Sequence, residues 1–158
     1  MPTIAVKEVE GGKMSTYLNR ELKEGDEIQV MPPLGKFTLD PDPSASNFYF
    51  LFGGGSGITP LLSIIKTVLF AEPNSKMILF YANRDKESVI FDEEISALSA
   101  QNADRLKLIY SFDNPSQDWD GHTGYLTEAK VSEVIRNELG LNYPVAHYYT
   151  CGPSPMMD

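Results

Sequence analysis

The chain has 158 residues, 42% of them hydrophobic, a formal net charge of −9 and a single cysteine. With no basic cluster to offset the acidic excess, a nucleic acid or an anionic membrane is excluded as the main partner. One cysteine likewise excludes an internal disulfide framework or a four-cysteine iron–sulfur site. No run of about 18 apolar residues is available to span a membrane. The amino terminus lacks the basic-then-apolar secretory pattern, no metal-ligating set is read, and a reducing, cytoplasmic setting is expected.

In chain order, residues 3–9 and 27–31 carry the β-branched, partly alternating look of strands. Between them Ser15 reads as the N-cap of a short helix over residues 16–22. Met31-Pro32-Pro33-Leu34-Gly35 breaks regular structure, and Asp40-Pro41-Asp42-Pro43-Ser44 reads as a surface linker. From residue 47 strands alternate with helices. Strands are predicted at 47–53, 76–82, 106–112 and 145–150, and helices at 59–72, 89–101 and 127–139. That alternation implies right-handed parallel βαβ units and an α/β doubly wound parallel sheet. If the strand order is 3-2-1-4, the carboxyl ends of the first and last strands are neighbours and frame one crevice.

Two motifs sit at those ends. Gly53-Gly54-Gly55-Ser56-Gly57-Ile58-Thr59-Pro60 lies between a buried strand and a helix, the context a dinucleotide-binding loop requires. Glycines let backbone N–H groups approach a pyrophosphate, and the helix terminus adds roughly half a positive charge. Thr59 is placed to cap that helix, with Pro60 in its first turn. The second motif is Cys151-Gly152-Pro153, with Met156 beyond it. For Cys151 the choice lies between a small buried thiol and a residue packed near a ligand. His122 and His147 read as a loop polar residue and a satisfied core histidine. After the second strand, Asn83-Arg84-Asp85 stands where a dinucleotide fold reads the adenosine ribose. Arg84 either binds a 2′-phosphate or is a solvated arginine paired with Asp85. Trp119 reads as cover for a core edge, and the runs at 92–94 and 20–21 as solvated helix faces.

Gly55-Ser56-Gly57-Ile58-Thr59-Pro60 with Cys151-Gly152-Pro153 and Met156 resembles the nicotinamide-binding domain of the ferredoxin–NADP⁺ reductase superfamily. Upstream, the run from Val6 to Leu18, Gly25-Asp26 and Met31-Pro32-Pro33-Leu34-Gly35-Lys36-Phe37 is similar to the second half of that family's flavin-binding barrel. Tyr81-Ala82-Asn83-Arg84-Asp85 with Ser88-Val89-Ile90-Phe91 resembles oxygenase reductases of the phenylacetate-degradation and ketosteroid-hydroxylase type.

The resemblance implies a partial FAD-binding antiparallel barrel over residues 1–43, followed by an NAD(P)-binding domain over 44–158 that lacks its carboxy-terminal end. It implies that Val6, Lys7, Gly12, Lys13, Met14 and Ser15 contact FAD, with residues 12–15 at its pyrophosphate. Gly54, Gly55, Ser56, Gly57, Ile58, Gly152, Pro153 and Met156 would hold NADPH or NADH, Asn83, Arg84 and Asp85 its ribose. Thr59 and Cys151 would position the nicotinamide for hydride transfer. The implied reaction passes a hydride from NAD(P)H to FAD, then single electrons to a 2Fe-2S ferredoxin domain and an oxygenase. The family's Arg-x-Tyr-Ser/Thr flavin motif does not occur in the chain. The chain therefore reads as truncated at both ends, with flavin binding weak or lost and open sheet edges inviting self-association. Competing readings are a nucleotide-binding module or fragment without activity of its own, and a reductase of flavodoxin, haem or quinone acceptors.

Overall fold

A computed structural model describes residues 4–139 and 146–157. The chain divides into two units, Met1–Thr38 and Leu39–Asp158.

The regular element of the first unit is α1 (Lys13–Arg20). The strands expected at 3–9 and 27–31 are absent: 4–9 and 27–31 have no ladder partner among the described residues. Strand-like composition specifies a strand only when a neighbour accepts from its N–H groups and donates to its C=O groups, and a lone hairpin is marginal in water. Val30, Met31 and Leu34 are accordingly exposed. The helix also begins earlier than predicted, with Gly12 rather than Ser15 at its cap. Gly11 takes φ +71° and the Gly12 N–H reaches Val9 O at 2.9 Å, closing a tight turn ahead of the helix. Ser15 lies in the first helical turn, and its Oγ accepts the Val9 N–H at 3.1 Å.

In the second unit the observed elements follow the predicted alternation. They are β1 (Phe48–Gly54), α2 (Ile58–Ala71), β2 (Lys76–Asn83), α3 (Asp92–Gln101), β3 (Leu106–Phe112), β4 (His122–Thr123), α4 (Glu128–Leu139), β5 (Ala146–Cys151) and α5 (Ser154–Met157). The sheet is parallel throughout, in the order β4-β3-β2-β1-β5. The four predicted strands thus take their expected 3-2-1-4 order. The two-residue β4 is an addition too short for any periodicity to mark. Residue 145, assigned by sequence to the last strand, lies outside the described residues.

β1 lies between β2 and β5 and every residue in it is buried, which is why it reads as a continuous apolar run. Its alternate side chains feed two cores. Tyr49 and Leu51 pack with Leu79 and Tyr81 beneath Ile58, Leu61, Leu62, Ile65 and Val68 of α2 and Ile95 of α3. Phe48, Phe50 and Phe52 pack with Ile78 and Phe80 against Val134 of α4. Trp119 covers a core edge, its ring 4.6 Å from that of Phe112 and its Nε1 donating to His122 O at 2.9 Å. α3 begins at Asp92 because Phe91 holds a left-handed conformation, φ 60°, at its N-cap.

The amino-terminal ends of the strands are closed by one buried carboxylate. Glu72, 1% exposed at the end of α2, accepts from the Tyr49 hydroxyl at 2.9 Å, Ser75 Oγ at 2.7 Å and the Asp42 N–H at 3.1 Å. Arg105 donates to Glu72 O and Leu69 O, tying β3 to the same helix end. A buried carboxyl group is tolerated only with such a set of partners. Burial, reinforced by Glu72, pushes the Tyr49 phenol up to about 12.

Candidate functional site

At the opposite ends of the strands the chain is built to leave room. β1 runs out at Gly54 into a 3₁₀ turn, Gly55–Gly57, and straight into α2. β5 runs out at Cys151 into Gly152, Pro153 and α5. The two strands are neighbours, with Gly53 in register with Cys151. Segments nearly a hundred residues apart therefore meet, as the strand order predicts.

The meeting is close. A Cβ at Gly57 would overlap the Cys151 backbone and lie 2.8 Å from Gly152 N. One at Gly54 would lie 2.8 Å from Pro153 Cδ and 2.9 Å from Met156 Sδ. Gly55 is different: it takes φ +50° and nothing stands within 4 Å of where its Cβ would be. The glycines thus divide their work, with Gly54 and Gly57 permitting contact and Gly55 turning an open loop.

α2 is capped by Gly57, and Thr59 is not the cap that the sequence suggests. Thr59 is the second helical residue, and its Oγ1 donates to Ser56 O at 3.2 Å. That bond supplies the Ser56 carbonyl with a donor that Pro60, lacking an N–H, cannot. The first turn of α2 carries no acidic residue and its cap makes no side-chain hydrogen bond. The roughly half positive charge of the helix terminus is therefore left for an anion.

β2 completes the crevice, with Ala82 beside Gly54. Asn83 is 7% exposed, and its Nδ2 has no hydrogen-bond partner among the described residues. Buried amides are normally satisfied, so the Asn83 Nδ2, beside the Tyr81 phenol, is a candidate ligand contact. Arg84 is mostly exposed and pairs with Asp85 at 2.8 Å, the solvated pairing that the sequence left open. Its guanidinium, hydrogen-bonded to Asp85, is held above its usual range, and Asp85 is lowered by Arg84 and Ser88. Asp85 also closes a capping box, accepting the Ser88 N–H at 2.9 Å while Ser88 Oγ accepts the Asp85 N–H at 3.2 Å.

Cys151 is half-buried and packs against the core beside α2, and Met156 packs on the opposite face. His147 stacks on Tyr49 at 5.1 Å and His122 tilts against Phe80 at 5.4 Å, so both serve packing. Val6, Lys7, Gly12, Lys13, Met14 and Ser15 belong to the first unit, the last four around the 9–12 turn and the start of α1. Tyr81 figures in no sequence-based site reading, yet its hydroxyl donates to Gly55 O at 2.9 Å and accepts the Ile90 N–H at 3.3 Å. A tyrosine inside a buried strand is its one sequence signal, since a buried phenol needs a partner.

Residues 51–158 match the oxidoreductase NAD-binding domain family. The chain belongs to that family. Residues 3–39 match the oxidoreductase FAD-binding domain, so the flavin domain of these ferredoxin reductase-like oxidoreductases is partly present. The chain is 34% identical over 157 residues to one component of the 1,2-phenylacetyl-CoA epoxidase of Escherichia coli K12, covering 99% of itself and 44% of that protein. It is also 34% identical to the ferredoxin reductase component of 3-ketosteroid-9-alpha-monooxygenase from Rhodococcus rhodochrous, covering 99% of itself and 40% of that protein. The fold matches the cytochrome b5 reductase domain of Ulva prolifera nitrate reductase with a TM-score of 0.78 at 27% identity, covering 92% of this chain and 57% of that domain. The chain thus spans less than half the length of both curated relatives. No helix among the described residues is long and apolar enough to cross a membrane.

Proposed function

We propose that this chain supplies the nicotinamide-nucleotide site of a flavin-dependent reductase. In the whole protein a hydride passes from NAD(P)H to FAD, and single electrons then leave for an iron–sulfur carrier or an oxygenase. The observation that carries the reading is the glycine turn Gly55–Gly57 between β1 and α2, open at Gly55 and beside a helix terminus that no side chain caps. A pyrophosphate suits that turn, and the orphaned Asn83 amide supplies a buried donor beside it. In this assignment residues 1–43 are the partial FAD-binding barrel and 44–158 the NAD(P)-binding domain.

FAD, when bound, is the hydride acceptor and the splitter of the electron pair. The chain's own residues bind and orient. The backbone of Gly54, Gly55, Ser56, Gly57 and Ile58 receives the pyrophosphate, and Gly152, Pro153 and Met156 wall the far side. Thr59, anchored on Ser56 O, and Cys151, packed on the core, would flank and orient the nicotinamide. Asn83, Arg84 and Asp85 read the ribose, with Arg84 the residue that a 2′-phosphate would meet. In the first unit, Gly12, Lys13, Met14 and Ser15 would hold the flavin pyrophosphate, and Val6 and Lys7 would contact the same cofactor. The partner is a 2Fe-2S ferredoxin domain feeding an oxygenase.

Titrating the full chain with NADPH and with NADH by calorimetry tests the site, and a visible spectrum after incubation with FAD and gel filtration tests the flavin. The expected result is saturable coenzyme binding with little flavin retained. A folded chain that binds neither coenzyme overturns the reading. A second reading, a nucleotide-binding fragment without turnover, is favoured by the absence of strands from the described residues of the first unit. Bleaching of retained flavin by either coenzyme would defeat it.

A further inference from the structure

Tyr81 joins two loops that share no strand ladder. Its ring lies in the β2 layer against Gly53, where an added Cβ would stand 3.4 Å from Tyr81 Cδ2. Its hydroxyl donates to Gly55 O in the turn after β1 and accepts the Ile90 N–H in the loop after β2. Burial pushes the Tyr81 phenol above its ordinary range, so the donor proton is retained.

The first bond has a directional consequence. The Gly55 carbonyl also accepts the Ile58 N–H, so the start of α2 and Tyr81 both hold it. In a trans peptide, as this one is, the carbonyl and the following N–H point opposite ways. Drawing Gly55 O onto the buried phenol therefore turns the Ser56 N–H away from it, at an exposed residue of the glycine turn. Gly55 stands at φ +50° in open space, so no side chain of its own sets that peptide.

The second bond acts on the ribose side. Ile90 precedes Phe91, the one non-glycine residue with positive φ among those described. Such a conformation persists only where its surroundings over-determine it. The Tyr81 hydroxyl on Ile90 N, the Asp85–Ser88 capping box and the Ile95 N–H on Phe91 O together fix the segment that carries Arg84.

We propose that Tyr81 is a positioning residue for the nucleotide: its hydroxyl couples the pyrophosphate turn at Gly55 to the ribose-reading loop at 84–91. The inference rests on the proposed nicotinamide-nucleotide site and adds a residue to it. Tyr81→Phe keeps the ring and removes both bonds. Tyr49→Phe is the control, because it removes a buried hydroxyl bond to Glu72 at the other end of the sheet.

Amide hydrogen exchange on the unliganded full chain reads the tie without any coenzyme. Tyr81→Phe is expected to speed exchange both at 55–58 and at 88–91, whereas Tyr49→Phe leaves both segments unchanged. Calorimetry with NADPH and NADH then reads its use. Tyr81→Phe is expected to weaken the preferred coenzyme about tenfold, and adding Arg84→Ala to it to cost less than Arg84→Ala costs alone. Equal exchange in the two variants, or wild-type affinity in Tyr81→Phe, overturns the coupling. Wild-type chain that binds neither coenzyme overturns the nucleotide site itself, even where the exchange pattern holds.

Discussion

The two ends of the parallel sheet solve opposite problems with similar residues. At the amino-terminal ends Tyr49, Ser75 and the Asp42 amide donate to the buried Glu72 carboxylate and saturate it, while Arg105 donates to the Glu72 main-chain carbonyl. At the carboxyl-terminal ends the polar groups sit on glycine-lined turns, and Asn83 Nδ2 is buried without a partner among the described residues. A saturated network holds a fold together. An unsatisfied one beside an open helix terminus is where a ligand completes the count.

The sharpest way to break this contrast is Gly57→Val. The new side chain overlaps the Cys151 backbone, so coenzyme affinity by calorimetry should fall beyond measurement. Circular dichroism separates that loss from unfolding, and the smaller Thr59→Ala, which removes only the hydroxyl bond to Ser56 O, should weaken binding while the fold holds. Next in size is Glu72→Ala at the other end. It strands three donors, and a loss of about 2–3 kcal/mol is expected in urea unfolding. Coenzyme affinity should not change, and a matching loss of affinity would erase the distinction between the ends.

Arg84→Ala is expected to narrow any preference for NADPH over NADH by about tenfold, if the guanidinium meets a 2′-phosphate through charge-assisted bonds. The melting temperature should stay put, since Arg84 is mostly exposed and Asp85 keeps its bonds to Ser88. Equal effects on both coenzymes would return Arg84 to the role of a solvated side chain.

The smallest effect concerns pH. Tyr49 has its phenol raised from 10.0 to about 12 in the folded chain. A raised pKa means that the neutral, folded form is favoured. Its contribution is complete below pH 10 and disappears as the pH climbs through about 12. Tyr49→Phe should therefore cost about 1 kcal/mol at pH 8 and progressively less above pH 10, read from urea midpoints. A constant difference across that range would mean that the phenol is not held neutral by its burial beside Glu72.

Much of this was legible in advance where the signal is local. Phe48-Tyr49-Phe50-Leu51-Phe52 announces a strand buried on both faces, and the 3-2-1-4 order is the one that alternation and the two end motifs anticipate. Local rules failed where a long-range partner decides. Ser15 and Thr59 both have good capping chemistry, yet glycines take the caps, because Gly12 and Gly57 allow the close turns that start each helix. Residues 4–9 and 27–31 look β-branched but find no ladder among the described residues. β4, two residues long, exists because β3 offers it an edge.

Composition, periodicity and two glycine motifs determined an acidic α/β chain with its candidate site at the carboxyl ends of the strands. Those are properties of neighbours in sequence: turns need glycine, and buried strands need apolar runs. The tertiary structure alone decided that Gly57 must be bare because Cys151 lies against it. It also decided that Tyr81 ties Gly55 to Ile90, and that Glu72 anchors the far end. Each of those depends on hydrogen bonds or van der Waals contact between residues brought together from distant segments, and no local pattern encodes such a meeting.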